Sequence, residues 1–442
     1  MVELLTEEAV RAIGNPAFKR YAHRYLAIER DFYKAIGEFG LGVSDEDEGF
    51  DELARHAVEK GAIAANGCKS FHVNWISSAC IACRQGLGTE TFLTSTKCPR
   101  NCYFCFNPNQ DNYEHDLTHV HDIASELRKR LQGGARYTHL GITGGEPLLH
   151  FDEVISFLKV ARLRQHDAHT RLYTSGAGLT PERTRELARA GLSEIRFSIK
   201  LDDDLRVLED VYAKIEGCVG LIDSVMVEMP VMPDQVEQMK AVLRRLDGMG
   251  ASGINLLELC FPFHNAHEFA KRGYLVKKRP YRVLYDYWYA GGLPIAGSER
   301  ACFELLDFAV EEGLKLGVHY CSLENKLTGQ VYQQNRFIPM ERPACEMSPR
   351  DNFLKSAKAF GADRKRVKAT LEALGETEFF ENAENASLAF PVRRIADLAQ
   401  SCPDVELAVC TSIVEMREGG PALRELTLGI TTPASFDPEA DW

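Results

Sequence analysis

The chain reads as an α/β protein built around an open (β/α)6 barrel, with a helical extension before it and a small α+β domain after it. Three observations carry that reading. From about residue 91 to residue 321, short apolar strands alternate with amphipathic helices, which calls for a parallel sheet with crossover helices. A Cys-rich loop and a Gly-rich loop directly follow the first two strands, and barrels gather their sites at that end of the strands. The alternation stops on both sides, which divides the chain into 1–67, 68–342 and 343–442.

The elements follow in order. Thr6 can cap a short helix that has Glu7 and Glu8 in its first turn. Phe18, Tyr21, Tyr25, Phe32, Tyr33 and Ile36 then recur at helical spacing, and a further helix is expected over Phe50–Lys60. These helices are expected to pack as a cap on the barrel. Thr91–Thr96 is the first barrel strand, and the helix after it shows Val120, Ile123, Leu127 and Leu131 on one face before Gly133-Gly134 stops it. Tyr137–Thr143 is the second strand, followed by a helix over Val154–Ala161. Arg171–Gly176 is the third, and Thr180-Pro181 reads as a cap with proline at the first helical position. Glu194–Lys200 and Ser224–Val231 are the fourth and fifth. Asp234 caps a helix carrying Val236, Met239, Val242 and Leu246, and Gly253–Leu259 is the sixth strand.

An insertion over 261–297 is rich in aromatics (Phe263, Tyr274, Tyr281, Tyr285, Tyr287, Trp288, Tyr289) and holds the basic run Lys277-Lys278-Arg279. A helix over Ser298–Glu312 leads to one extra strand, Leu316–Cys321. Beyond Pro343 two helices (Asn352–Phe360, Asp363–Leu374), a strand (Ala386–Val392), a helix (Arg393–Ser401) and two strands (Asp404–Met416, Leu423–Leu428) are expected, then a loose tail over Thr431–Trp442.

Composition narrows the class. With 442 residues and 45% apolar content, the chain has the make-up of an ordinary globular protein. No apolar run approaches the roughly 18 residues a membrane span needs, and Met1–Thr6 lacks the basic-then-apolar pattern of an export signal. A cytoplasmic location is therefore expected. The 13 cysteines then read as reduced or metal-bound thiols, not a disulfide framework. A formal charge of −12 argues against long-range attraction to nucleic acid.

The chemistry centres on Lys97-Cys98-Pro99-Arg100-Asn101-Cys102-Tyr103-Phe104-Cys105-Phe106. Cys98, Cys102 and Cys105 can turn three thiolates to one side of a short loop. Three thiolates on a four-iron cube leave one iron without a protein ligand, open to a substrate or cofactor. No fourth cysteine followed by proline comes after Cys105, as a ferredoxin would have, and a structural zinc site wants four closed ligands. The spacing favours iron–sulfur and leaves zinc as the alternative.

Gly144-Gly145-Glu146-Pro147 follows the second strand directly. With this motif and the cysteine loop in order, each after a strand, the chain resembles the radical S-adenosylmethionine (SAM) superfamily, and Phe104 sits at the aromatic position of that family's cysteine motif. The resemblance implies a [4Fe–4S] cluster on Cys98, Cys102 and Cys105, whose vacant iron takes the amine and carboxylate of SAM. It also implies an external one-electron donor and a 5′-deoxyadenosyl radical that abstracts hydrogen from a substrate. By need, Gly144 and Gly145 let backbone approach the methionine amine and Glu146 accepts its hydrogen bonds. Ser175, Ser198 and Lys200 end the third and fourth strands, where the family places ribose and carboxylate contacts. The chain departs from the family pattern at its fifth strand, where Glu228-Met229-Pro230 stands in place of a Gly-rich contact.

A narrower resemblance, over about residues 75–420, is to an uncharacterised group related to pyruvate formate-lyase activating enzymes. It rests on Cys80-x2-Cys83 with Gly86, Asn255–Leu259, Asn265, Arg272-Gly273-Tyr274, Ala296–Glu299 and His319–Ser322, and departs at Leu257, where that group tends to have Asn. Cys80 and Cys83 read either as metal ligands or as two buried thiols. Barrel closure would bring Cys321 toward them. Cys80, Cys83 and Cys321, with Cys345 or Cys68 as further candidates, are thus a possible second iron–sulfur cluster, with zinc and no metal as alternatives. The expected substrate is a peptide or protein, as for a peptide maturase or a glycyl radical enzyme activase. A small metabolite, and a non-catalytic iron–sulfur or zinc module, are the competing readings. No residue can be assigned to substrate catalysis from the sequence.

Overall fold

The computed structural model describes residues 2–284, 292–342 and 344–442. They fall into two compact units. One holds residues 41–280 and 292–329, and the other holds residues 2–40, 281–284 and the chain from 330 onward. Tyr285, Tyr287, Trp288 and Tyr289 of the expected aromatic insertion lie outside the described residues.

The first unit contains a nine-stranded sheet. Seven strands run parallel, each beside the next in chain order: Thr89–Leu93, His139–Thr143, His169–Thr174, Glu194–Phe197, Ser224–Val231, Gly253–Glu258 and Gly317–Cys321. An antiparallel hairpin, Ile63–Ala65 and Ser70–Val73, adds to the last of them, with Ser70 opposite Cys321. The boundary expected at residue 67 therefore falls inside a hairpin. Its strands are too short for periodicity to reveal.

Alternation along these strands separates two environments. Leu172, Ile195, Phe197, Val225, Val227, Ile254 and Leu256 are buried in the apolar core. That core also takes Phe157, Leu187, Ile215, Leu243 and Leu305 from the crossover helices. Each such fully buried side chain contributes roughly 1.5–3 kcal/mol. The alternate positions are polar: Arg171 and Tyr173 on the third strand, Glu194 and Arg196 on the fourth, Glu228 on the fifth, Asn255 on the sixth and His319 on the last. These polar residues bond one another across the strands, which marks the inner face of an α/β barrel sheet. The helix starts follow their caps, with Thr180 Oγ1 accepting from Arg183 N–H ahead of Pro181 and Asp122 Oδ1 accepting from Ser125 N–H. A helix over Leu205–Cys218, absent from the sequence reading, fills the interval before the fifth strand.

The second unit holds a seven-stranded sheet, antiparallel throughout. Here four expectations change. Residues 354–360, read as helix, form a strand paired on both sides. Alternating lysines and small residues in LKSAKAF mimic helical composition, but Ala357 and Ala359 suit a covered strand face. The helix expected over Arg393–Ser401 is two short 3₁₀ turns, Val392–Arg394 and Ala396–Leu398. Of the N-terminal helices, Phe50–Glu59 packs on the barrel core as expected, whereas Glu7–Ala12 and Pro16–Gly37 belong to the unit of this sheet. Glu3–Leu4 pairs with Gly420–Thr431, and Phe18 stacks on Phe360 with ring centroids 4.7 Å apart. The tail is anchored as well, since Phe436 is buried in the same core.

One buried charge network braces the end of the sixth barrel strand. Glu258 and Glu299 flank Lys277, with Glu258 Oε1 3.3 Å from Nζ and Glu299 in a shorter ion pair. Glu258 Oε2 accepts from Leu323 N–H at 2.8 Å, and Glu299 Oε1 accepts from the Tyr320 hydroxyl at 2.8 Å. Burial pushes the Glu258 carboxyl up to about 7; Lys277 pulls it down and Glu299 raises it further. Burial alone would lower the Lys277 ammonium, but Glu258 and Glu299 raise it above its ordinary value. A carboxyl raised in this way costs stability as pH climbs from its ordinary value toward 7, and Lys277 limits that cost. Lys277→Met should destabilise the fold by about 3–5 kcal/mol, because it leaves two buried carboxylates unpaired. The loss, measured by thermal unfolding, should be larger near pH 8 than near pH 6, where the Glu258 carboxyl takes up its proton.

Candidate active site

The cysteine loop and the glycine loop are built against each other. Past the paired strands, Thr94 N–H donates to Thr143 O at 2.9 Å, Gly145 N–H to Ser95 O at 2.8 Å and Glu146 N–H to Lys97 O at 2.9 Å. The two loops thus continue the parallel ladder. A Cβ on Gly144 would lie 2.6 Å from Ser95 O, and one on Gly145 would lie 2.3 Å from Thr96 O and 2.4 Å from Lys97 O. Backbone cannot yield as a side chain can, so both positions require glycine for closeness alone. Asn107 Nδ2 closes the other side, donating to Gly144 O at 3.3 Å.

Within the cysteine loop, Cys105 N–H donates to Cys102 O at 3.1 Å and Arg100 N–H donates to Cys98 Sγ at 3.4 Å. Phe104 is half-buried, with its ring edge-on to Tyr103 at 5.1 Å. Arg100 is ion-paired with Asp203, and Lys200 Nζ stands 4.0 Å from the same carboxylate. Burial pushes the Cys102 thiol up to about 11, against the pull of Lys200, and burial also raises Cys98 and Cys105. Such thiols ionise when a metal cation displaces their protons. Three partly covered thiols, an N–H aimed at one sulfur and nearby cations fit an anionic thiolate cluster.

The other expected site residues are placed as follows. Glu146 is fully buried. Its Oε1 accepts from Leu148 N–H at 3.0 Å and Thr174 Oγ1 at 2.7 Å, and its Oε2 accepts from Ser175 N–H at 2.7 Å and Ser175 Oγ at 2.5 Å. These four bonds fill a carboxylate's acceptor capacity. Glu146 therefore ties the glycine loop to the end of the third strand, and Ser175 is its partner. Ser198 is exposed, with its N–H on Thr174 O at 2.9 Å.

The upstream pair lies on a short helix, Ser78–Cys83, whose cap Ser77 also donates to Glu194 Oε2 at 2.6 Å. This places the helix against the polar inner face. Cys80 Sγ accepts from Arg196 Nη2 and from Asn255 Nδ2, each at 3.4 Å. Arg196 also binds Glu194 at 2.5 Å and Glu228 at 2.7 Å. Burial would raise Glu194, but His169, Arg196 and Ser77 hold its carboxyl down at about 2. His319 Nδ1 meets Asn255 Oδ1 at 2.9 Å, and burial takes that imidazole down to about 3, so it stays neutral. Cys83 and Cys321 are close enough to Cys80 for their charges to interact. Cys321 Sγ accepts from Asn325 Nδ2 at 3.2 Å. Burial takes its thiol up to about 12. Nη1 of Arg171 is buried without a hydrogen-bond partner, and its guanidinium interacts with Cys83.

Cys345 belongs to the other unit, where Ser356, Lys358 and Arg342 act on its thiol. Cys68 packs beside the barrel core in a left-handed conformation, φ 60°. Among the described residues, no three His, Cys, Asp or Glu side chains converge at metal-ligand spacing, in either cysteine group. Sequence reasoning passed over Arg171 and Arg196; their alternation with Leu172 and Ile195 was the signal available. It also passed over His264, which donates from Nε2 to Cys105 O at 2.8 Å.

Comparison with known proteins agrees with this geometry. Residues 92–246 match the model of the Radical SAM superfamily. A protein of Methanocaldococcus jannaschii, provisionally named a glycyl-radical enzyme activating enzyme, is 28% identical over 60% of this chain and 67% of its own length. The chain thus carries a Radical SAM domain over residues 92–246, and that domain together with this relative marks it as an enzyme. A Radical SAM domain implies SAM and a [4Fe–4S] cluster as cofactors.

Two solved structures are also similar. Streptococcus suis SuiB bound to precursor peptide SuiA is 12% identical, covering 73% of this chain and 67% of that one, with a TM-score of 0.39. Native anSMEcpe with bound SAM and a peptide is 15% identical, covering 39% of this chain and 51% of that one, with a TM-score of 0.32. The chain thus spans about half the length of the latter.

Gly145→Ala should cost about 1–3 kcal/mol in stability by overpacking, and the reconstituted protein should hold clearly less iron than wild type, as measured by iron and sulfide analysis.

Proposed function

We propose that this enzyme abstracts a hydrogen atom from a peptide or protein substrate, as an activase for a glycyl radical enzyme or as a peptide maturase. The carrying observation is the similarity to the M. jannaschii protein, whose name assigns it a protein substrate. A small-metabolite substrate is the alternative.

When bound, the cluster and SAM supply reductive cleavage to a hydrogen-abstracting 5′-deoxyadenosyl radical, and an external donor supplies the electron. The chain's own groups bind and orient. Cys98, Cys102 and Cys105 are the proposed ligands, with Phe104 packing beside them. Gly144 and Gly145 present backbone to the methionine end of SAM, at a height set by their contact with Ser95, Thr96 and Lys97. Glu146 is proposed to act through Ser175, fixing the strand end that faces the nucleoside. Lys200, which already acts on Cys102, is the proposed carboxylate partner, and Ser198 stands exposed beside it.

Cys80, Cys83 and Cys321 are the proposed ligands of a second iron–sulfur cluster. N–H donors on Cys80 and Cys321, and the unpartnered Arg171 Nη1 interacting with Cys83, support a thiolate site there. Cys345, placed in the other unit, is not assigned to it.

Anaerobic reconstitution with SAM and dithionite should yield 5′-deoxyadenosine by mass spectrometry, and Cys98→Ala should abolish it. Product labelling from candidate glycyl radical enzymes or short peptides, set against metabolite pools, separates the two substrate classes. A Cys98/Cys102/Cys105→Ala triple variant should retain iron and sulfide in equal amounts; a metal-free protein overturns the second cluster.

A further inference from the structure

The loop that carries the three cysteines makes few backbone hydrogen bonds of its own. Between residues 97 and 106 the internal backbone pair is Cys105 N–H to Cys102 O. Its order must come from elsewhere in the fold, and two bonds reach it, with a third at Asn109 just beyond it, from a segment more than 150 residues away in sequence. His264 Nε2 donates to Cys105 O at 2.8 Å. Asn265 Nδ2 donates to Tyr103 O at 3.1 Å. Asn109 Nδ2 donates in the other direction, to Pro262 O at 2.7 Å. Side chains add to this tie, with the Arg272 guanidinium 4.1 Å above the Tyr103 ring and Phe269 edge-on to the same ring at 5.1 Å.

The tie comes at a cost in the backbone that supplies it. Phe263 and Asn265, on either side of His264, both adopt left-handed conformations, φ 65° and 57°. Asparagine tolerates this region, whereas for a bulky residue such as phenylalanine it is a genuine outlier. Strain of this kind persists only where the surroundings over-determine it. Here it turns His264 and Asn265 onto carbonyls at and beside a cluster ligand. Neither side chain reaches a sulfur or a reacting atom in these contacts, so both are positioning residues.

We propose that Pro262–Asn265 is a clasp that holds the Cys102–Cys105 backbone in its cluster-binding form, with His264 as its principal residue. The proposal rests on Cys98, Cys102 and Cys105 as the cluster ligands. By fixing the carbonyl of the third ligand, the clasp limits excursions of the loop that would release iron. It also holds the rim of the site where SAM must enter.

The test uses the reconstituted full-length protein. Cluster loss in the presence of an Fe(II) chelator is followed by visible absorbance, and the reduced cluster is examined by electron paramagnetic resonance with and without SAM. His264→Ala removes one net hydrogen bond, and loss should be about tenfold faster. The SAM-induced spectral change should broaden, while the unfolding midpoint of the metal-free protein stays at the wild-type value. His264→Gln, which keeps an N–H donor, should recover most of the wild-type rate. Asn265→Gly removes the second donor while relaxing the left-handed backbone, so it tests the clasp without adding strain. It should also speed cluster loss. Wild-type loss rates and spectra in both His264→Ala and Asn265→Gly overturn the clasp. A wild-type protein that binds no [4Fe–4S] cluster overturns the ligand assignment itself, a separate failure.

Discussion

The carbonyl oxygens of Thr96 and Lys97 lie where a side chain on residue 145 would have to begin. That contact governs the rest of the site. Because two backbones meet without side chains between them, the ladder of the first two barrel strands runs on into the loops, and the cysteine loop leaves the sheet at a fixed height. Glu146 carries the same constraint to the third strand through Ser175. Three consecutive strand ends are thereby locked before any cofactor is considered. Fixing the donors in advance is what lets a site bind without rearranging.

Much of this was legible in the chain. Alternation of strands and helices over 91–321, and two motifs each placed directly after a strand, led to the barrel sheet and to two loops that the fold builds against each other. These signals are local, and local pattern is what sequence reports well. Ser175 was picked as a strand-end residue, but its partner, Glu146, was expected to face a ligand. Nothing in GGEP tells a carboxylate that meets a cofactor from one that meets a neighbouring strand.

The losses came where tertiary pairing decides. LKSAKAF has the composition of a helix and becomes a strand because partners lie on both sides of it. The N-terminal helices have an ordinary amphipathic face, and no periodicity states which sheet that face will cover. Cys345 follows the chain closely after Cys321 yet belongs to another unit. The buried arginines of the inner face were visible as alternation, but in isolation a strand arginine is equally well a surface residue.

The clasp at Phe263–Asn265 has a consequence for biosynthesis. The cysteine motif leaves the ribosome early, while the residues that steady it are translated more than 150 positions later. A nascent chain that has just exposed its three thiols still lacks the bonds of this clasp. If the clasp holds the cysteine loop as proposed, stable loading of iron would wait until the segment after the sixth strand has been made.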